Sequence, residues 1–389
     1  MWNILQPSSI HFGAGAASEY DFPERPLLIT SKGAKSRGWT EYLKLKNFQI
    51  FDQVEPNPSI ETTEKIISEF KNENFSTVIG LGGGSSLDVA KYVGYKLEKK
   101  KIMIPTTFGS GSEVTKISVL NVDGKKTSFH DTKIISDVAI IDSNFIKGTP
   151  KNVIKNSAID SCAQCSEAYD SKIANPYTKF LCEKAFDILE SALLKNNYEK
   201  LALGSLITGL GFGNSSTTLG HALSYVYSNE GIMHGHALAH TTSAAHEFNN
   251  SKFYERFRKI AKHLEFSKIS LSQNLDDAAE LILKDRKHLD NNPKTVSKTD
   301  LISLLKEINS PGLKTGKNGL EKSFNSSMIG KPGIQRFEVN SSGKRIKELK
   351  YVEGLPGENF KTTIDKEIQQ FVAKEINEKS SSVCVMDVY

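Results

Sequence analysis

Apolar positions along the first half of the chain follow two alternating rhythms. PLLIT (26–30), STVIGLGGG (76–84), KIMIPTT (101–107) and VAIIDS (138–143) are short apolar runs that read as buried strands. Between them IETTEKIISEFKNEN (60–74) sets Ile60, Ile66, Ile67 and Phe70 among charges, and SSLDVAKYVGYKL (85–97) follows, both as helices. Strand–helix alternation predicts an α/β domain with a parallel sheet over residues 1–148. From 149 to 309 the rhythm is helical throughout: 175–195, a glycine-rich buried helix at 201–216, 278–289 and 298–308. This stretch is expected to be an all-α domain. After Ser310 comes a Gly/Lys-rich linker, PGLKTGKNG (311–319), then short strands such as QRFEVN (335–340) and a helix over 364–379. Residues 310–389 read as a small α+β appendage, and SSVCVMDVY (381–389) as an opening strand.

Composition narrows the class. A hydrophobic share of 38% in 389 residues is enough for two or three cores. No apolar run approaches the ~18 residues of a membrane span. The start has no basic region followed by an apolar one, so no secretory leader is expected. Four cysteines cannot staple a chain of this size, which points to a reducing, cytoplasmic setting. Fifty basic residues against 45 acidic ones give +5, too balanced for a nucleic-acid binder. The expected partner is a small molecule, with no nucleic acid and no membrane, and a homodimer is the expected assembly.

Two loops carry candidate chemistry. In GLGGGSSLDVAK (80–91) a strand runs through Gly82, Gly83 and Gly84 into a helix opened by Ser85 and Ser86, with Asp88 a turn later. Glycines let the backbone turn and approach a ligand, and the free N–H groups of the helix start suit a pyrophosphate. PTTFGSGSEVT (105–115) is a second polar loop, whose Thr106, Thr107 and Ser110 hydroxyls suit a nucleotide or a substrate.

Five of nine histidines fall between 221 and 246: His221, His234, His236, His240 and His246. Neutral imidazole is a common metal ligand. The small neighbours in GHA and MHGHA leave room for a ligand. Upstream, Asp160 and Gln164 are four apart and share a helix face. Asp160 with His221 and His234 makes an open metal site conceivable. His236 and His240 either act in the site or only line its pocket, while His263 and His288 read as surface or core residues. Cys162 and Cys165 form a C-x-x-C with no second pair at metal spacing, so core packing is the expectation. Tyr225, four residues after His221, is either a proton relay or a packed aromatic.

In order, GGGSSLDVAK, PTTFGSGSEVT, AIIDS, the Asp160 segment and GHALSY followed by MHGHA resemble the iron-dependent (group III) alcohol dehydrogenase family. The likeness covers about residues 1–309, including NNPKTVSKTDLISLLKEI (291–308). The opening MWN…P…FGAG, SKIANP and GNSSTTLGHALSYVYSNEGIMHGHA look most like phosphonoacetaldehyde reductases. The resemblance implies a dinucleotide-binding domain and a helical domain with the metal between them. It implies NAD(P)H and Fe²⁺ (or Zn²⁺) in the interconversion of a small aldehyde and its alcohol. It also implies metal ligands at Asp160, His221 and His234, with the remaining family histidine replaced here by Gln164. Rival readings are a glycerol dehydrogenase-like or dehydroquinate synthase-like enzyme, or a nucleotide-binding protein with an impaired metal site. Residues 311–389 resemble the non-catalytic segment of bacterial penicillin-binding protein 2. KTG (314–316) has no S-x-x-K companion in that tail, so no chemistry is expected there.

Overall fold

Six short strands build one sheet: β1 (Ser9–Phe12), β2 (Leu27–Ile29), β3 (Gln49–Phe51), β4 (Thr77–Gly82), β5 (Lys100–Pro105) and, after a hairpin, β8 (Val138–Ile141). Their order is β1-β8-β5-β4-β2-β3, and every pairing is parallel. All six residues of β4 are buried, because helices cover both faces and leave no solvent side for polar alternation. The chain winds outward from β2 to β3, then returns across β2 to β4. Strand order therefore reverses between β2 and β4, and such a switch point opens a crevice at the carboxyl ends of the strands. The glycine turn that leaves β4 lies there. The hairpin is antiparallel: β6 (Ile117–Val122) pairs with β7 (Lys125–His130).

The structure is a computed structural model describing residues 1–195, 197, 199–309, 319–328, 330, 333–339, 345–359, 361–376 and 383. It divides into two compact units, Met1–Pro311 and Gly312–Tyr389. In the first unit the α/β lobe is followed by the helices Lys151–Asp170, Pro176–Leu194, Glu199–Phe212, Leu219–Asn229 and His234–Asn249, then Tyr254–His263, Leu275–Leu283, Arg286–Asn291 and Lys298–Asn309. The two lobes share a core. Phe108, Val114, Ala139 and Ile141 from the sheet side pack in one cluster with Ile159, Ala163, Phe186, Leu189 and Leu238. Cys162 and Cys165 are buried in that cluster as free thiols, and burial pushes Cys165 up to about 12. The C-x-x-C is packing material.

The structure corrects three element boundaries. The helix read over 201–216 is Glu199–Phe212. The helix read over 60–74 ends at Phe70. The helix read over 278–289 is two helices, Leu275–Leu283 and Arg286–Asn291, because Asp285 caps the second: its side chain accepts the His288 N–H. The second unit contains the antiparallel pair β9 (Ile334–Val339) and β10 (Arg345–Val352), and a helix, Lys366–Ile376, none of whose residues is buried. Apart from Gly319 and Val383, the linker at 311–319 with its KTG and the strand read in SSVCVMDVY lie outside the described residues. No helix among the described residues is long and apolar enough to cross a membrane.

Candidate metal and cofactor cleft

A cavity of about 350 Å³ lies between the lobes of the first unit. One wall is the glycine turn. Gly82 has φ +147°, a conformation L side chains rarely adopt, and this bends the chain out of β4. The helix Gly84–Lys96 then starts without any side-chain cap, since its N-cap is Gly83. Its first-turn N–H groups remain open donors with the positive end of the helix dipole behind them. A Cβ on Gly84 would sit 3.1 Å from Ser110, a tight contact across the groove.

Gly84, Ser85, Asp88, Thr107 and Ser110 line the cavity. Gly82 and Gly83 form the turn beneath, and Ser86 and Thr106 are buried behind it. Asp88 is tied into the protein: Ser112 Oγ donates to it at 2.6 Å, and Lys91 Nζ lies 3.4 Å away.

The opposite wall carries Asp160, Gln164, His221, Tyr225 and His234. Asp160, His221 and His234 each offer a ligand atom, all within 4.8 Å of one another, and no other group of three potential ligand residues converges this way among the described residues. Asp160 and Gln164 project from the Lys151–Asp170 helix, and Gln164 Nε2 donates to Asp160 Oδ1 at 3.0 Å. His221 is in the Leu219–Asn229 helix, and His234 opens the helix that follows.

The small residues beside the histidines serve a different end from the one expected. A side chain at Gly220 would overlap Glu167 Oε1, and one at Gly235 would overlap the Asn156 carbonyl. These glycines make room for the Lys151–Asp170 helix, and so bring both rings against Asp160.

Glu167 sets the state of His221. Its Oε2 lies 2.8 Å from His221 Nδ1 and accepts the Thr218 N–H at 2.8 Å. Burial opposes the Glu167 charge, yet the His221 ring and the Thr218 N–H hold its carboxyl below the ordinary range. Burial likewise works against a charged His221, but Glu167 and then Asp160 raise it to about 9. His234 has no such partner, and burial lowers it to about 4, leaving a neutral imidazole. A ring fixed through Nδ1 to a carboxylate, with Nε2 turned to the site, is the usual arrangement of a metal-ligating histidine. Gln164 Oε1 is buried with no partner, and a cation beside it would satisfy it. One carboxylate and two imidazoles, with this amide oxygen nearby on the Asp160 helix, suit a divalent ion.

Tyr225 lines the cavity with its ring stacked on His234, centroids 5.9 Å apart, and burial pushes its phenol up. His236 and His240 do not line the cavity: Nε2 of each reaches the Ser267 carbonyl, at 2.7 and 2.8 Å. His246 is buried against Ser166 Oγ at 2.7 Å. His288, read from sequence as a surface or core residue, lines the cavity instead. Asp285 grips its Nδ1 at 2.7–2.8 Å, and its ring stacks 6.2 Å from that of His221.

Sequence reasoning also passed over Glu167, Lys126 and Lys287. Glu167 had a signal, since it stands seven residues after Asp160, two turns on along the same helical face.

Residues 7–143 match the model of iron-containing alcohol dehydrogenase, and residues 154–285 that of the Fe-containing alcohol dehydrogenase family, C-terminal. Residues 292–362 match the penicillin-binding protein dimerisation domain. The chain is 34% identical over 220 residues to long-chain-alcohol dehydrogenase 1 of Geobacillus thermodenitrificans, covering 49% of this chain and 56% of that one. It is 31% identical over 209 residues to 4-hydroxybutyrate dehydrogenase of Clostridium kluyveri, covering 46% and 56%. It thus spans little more than half the length of these curated relatives. Among solved structures, an iron-containing alcohol dehydrogenase superposes with a TM-score of 0.73 at 25% identity, over 79% of this chain and 99% of that one. The fold is also that of sulfoacetaldehyde reductase from Bifidobacterium kashiwanohense in complex with NAD⁺, with a TM-score of 0.73 at 22% identity over 80% and 99%.

Proposed function

Residues 7–143 and 154–285 carry the two domains of the iron-containing alcohol dehydrogenase family, and from that premise we propose that the chain is a metal-dependent, NAD(P)H-linked reductase of small aldehydes. The observation that carries this reading is the convergence of Asp160, His221 and His234 within 4.8 Å on one wall of a cleft whose other wall is an uncapped, glycine-opened helix start. We take phosphonoacetaldehyde, reduced to 2-hydroxyethylphosphonate, as the substrate; the opening and histidine segments of the sequence support that choice.

When bound, Fe²⁺ or Zn²⁺ polarises the substrate carbonyl and the nicotinamide supplies the hydride. The chain's own residues do the rest. Asp160, His221 and His234 hold the ion, with Gln164 Oε1 as the fourth donor, and Glu167 fixes the orientation of His221. The first turn of Gly84–Lys96 takes the pyrophosphate, and Thr107 and Ser110 flank it. In this reading Tyr225, a phenol that burial holds protonated at the cleft wall, donates the proton to the product oxygen. A specific feature favours a second reading: Gln164 in place of an imidazole weakens the donor set, which suits a nucleotide-binding protein with an impaired metal site.

An aldehyde panel with NADH and NADPH, run with added Fe²⁺ or Zn²⁺ and with chelator, separates the two. The reductase reading expects metal-stimulated, chelator-sensitive oxidation of the cofactor. Nucleotide binding without turnover of any short aldehyde under any of these conditions supports the second reading.

A further inference from the structure

The two histidines that stay out of the cleft share a single acceptor. His236 and His240 stand four apart on the His234–Asn249 helix, so their rings emerge one above the other on one face. Both reach across to the segment 264–268, which follows the Tyr254–His263 helix. Their Nε2 atoms lie 2.7 and 2.8 Å from the Ser267 carbonyl oxygen, and Ser267 Oγ is 3.3 Å from Nε2 of His236. The rings are half-buried and Ser267 is exposed, so solvent reaches the cluster.

The same segment is gripped from a second side. Lys155, on the helix that carries Asp160, donates to the Glu265 carbonyl at 2.9 Å, and its ammonium lies 4.1 Å from the centre of the Phe266 ring. The His236 ring stacks on Phe266, centroids 5.3 Å apart. Segment 264–268 therefore ties together, from outside, the two helices that supply Asp160 and His234.

Two imidazoles at i and i+4 on one helix face form a bidentate set for a divalent ion, the spacing of the helical two-histidine zinc motif. Neighbouring donors around an ion with bonds of ~2.0–2.2 Å sit about 3 Å apart. Both N···O separations here fall just short of that, so an ion in place of the two Nε2 protons needs only a small outward shift of Ser267. Nδ1 of neither ring has a hydrogen-bond partner among the described residues, so each proton that leaves Nε2 is housed on Nδ1 and the rings stay neutral. Neither ring is paired with a carboxylate among those residues. Lys155, the cation beside the segment, is spent on the Glu265 carbonyl and the face of Phe266. Imidazole donors select borderline ions over Mg²⁺ or Ca²⁺.

We propose that Nε2 of His236, Nε2 of His240 and the Ser267 carbonyl oxygen form a second metal site, on the outside of the helical lobe, for an imidazole-preferring divalent ion of the Zn²⁺ class. Water completes its coordination. The bound ion fastens segment 264–268 to the His234 helix and so braces the inner ligands from behind. The site is independent of the reductase reading, because it shares no ligand with the cleft.

Equilibrium dialysis of the full, untagged chain against Zn²⁺ tests it, with Asp160→Ala/His234→Ala removing two of the inner ligands. That double variant is expected to keep one bound ion, which excess Mg²⁺ does not displace. Adding His236→Gln or His240→Gln is expected to weaken this ion about tenfold or more. Glutamine keeps an N–H donor for the Ser267 carbonyl but offers no imidazole nitrogen, so melting in chelator is expected to be unchanged by either substitution. The proposal is overturned if the double variant binds no Zn²⁺, or if either glutamine substitution leaves its Zn²⁺ affinity as it was. Should the double variant not fold, the count is made with the inner ligands intact: His236→Gln/His240→Gln is then expected to hold one ion fewer than the unaltered chain, and equal counts overturn the proposal.

Discussion

Gln164 decides how strongly the cleft can hold an ion. Its amide nitrogen spends a hydrogen bond on Asp160, and its oxygen is buried without a partner. A neutral amide oxygen is a weaker donor to Fe²⁺ or Zn²⁺ than imidazole. Gln164→His is therefore expected to tighten metal binding and to raise aldehyde reduction, measured by chelator competition and initial rates on both forms. A variant that gains neither affinity nor rate, beside a parent fully active in chelator, removes the metal from the reaction. A second residue-scale effect concerns stability. Burial holds His246 at about 4 against an ordinary 6.5. Between those values the unfolded chain binds more protons than the folded one, so stability rises with pH across that window. The contribution is complete above pH 6.5 and is lost as pH falls toward 4, amounting to at most about 3 kcal/mol for this one group. Denaturant melts of His246→Gln between about pH 4.5 and 7 are expected to show a shallower slope than the parent.

At the scale of elements, the site depends on how closely two helix starts approach the Lys151–Asp170 helix. Gly235→Ala drives a methyl into the Asn156 carbonyl. It is expected to cost about 1–3 kcal/mol and to weaken metal binding as His234 is pushed from Asp160. Unchanged melting and unchanged metal affinity would show that the helices have slack there. The same elements show what the sequence made legible. Short apolar runs gave β2, β4, β5 and β8 and the turn after β4 to within a residue or two, because strands buried on both faces stand out as apolar runs; β1, β3 and the β6–β7 hairpin, which carry no such run, were not read. Asp160 and Gln164 were legible as a pair because one helix carries both. Less legible were residues whose role depends on contacts between distant segments. Glu167 reaches His221 across 54 positions, and the His130–Lys287 bond spans 157; no local pattern encodes either. His288 was hidden by a continuous helical pattern over 278–289, although Asp285, a favourable N-cap residue inside that pattern, marked the break.

At the scale of the whole molecule, sequence similarity and packing divide the chain at different places. The match to the penicillin-binding protein dimerisation domain begins at residue 292. Yet Leu301, Leu304, Leu305 and Ile308 are buried in one cluster with Leu219, Val226 and Ala245 of the helical lobe. Four such side chains at about 1.5–3 kcal/mol each rival the ~5–15 kcal/mol that stabilises a typical domain. A chain ended at Pro311 is therefore expected to stay soluble and to bind NADH or NADPH as the full chain does. One ended at Asn291 is expected to expose its core and lose nucleotide binding. Fluorescence titration with the cofactor and dye binding to exposed apolar surface check both; equal behaviour of the two truncations would refute the packing boundary.

That the Lys298–Asn309 helix completes the helical lobe also has a consequence in time. A chain leaves the ribosome from its N-terminus at ~5–20 residues per second. Until Ile308 has emerged, the apolar faces of Leu219–Asn229 and Leu275–Leu283 lack the cover of Leu301, Leu304, Leu305 and Ile308, and the nascent lobe is open to wrong partners. Once it has emerged the lobe can close, while part of the segment after Pro311 is still inside the ribosome or yet to be made. Completing that segment takes on the order of seconds at the same rate, far longer than the ~10–100 μs of hydrophobic collapse. The first unit thus has a head start in collapsing over the second.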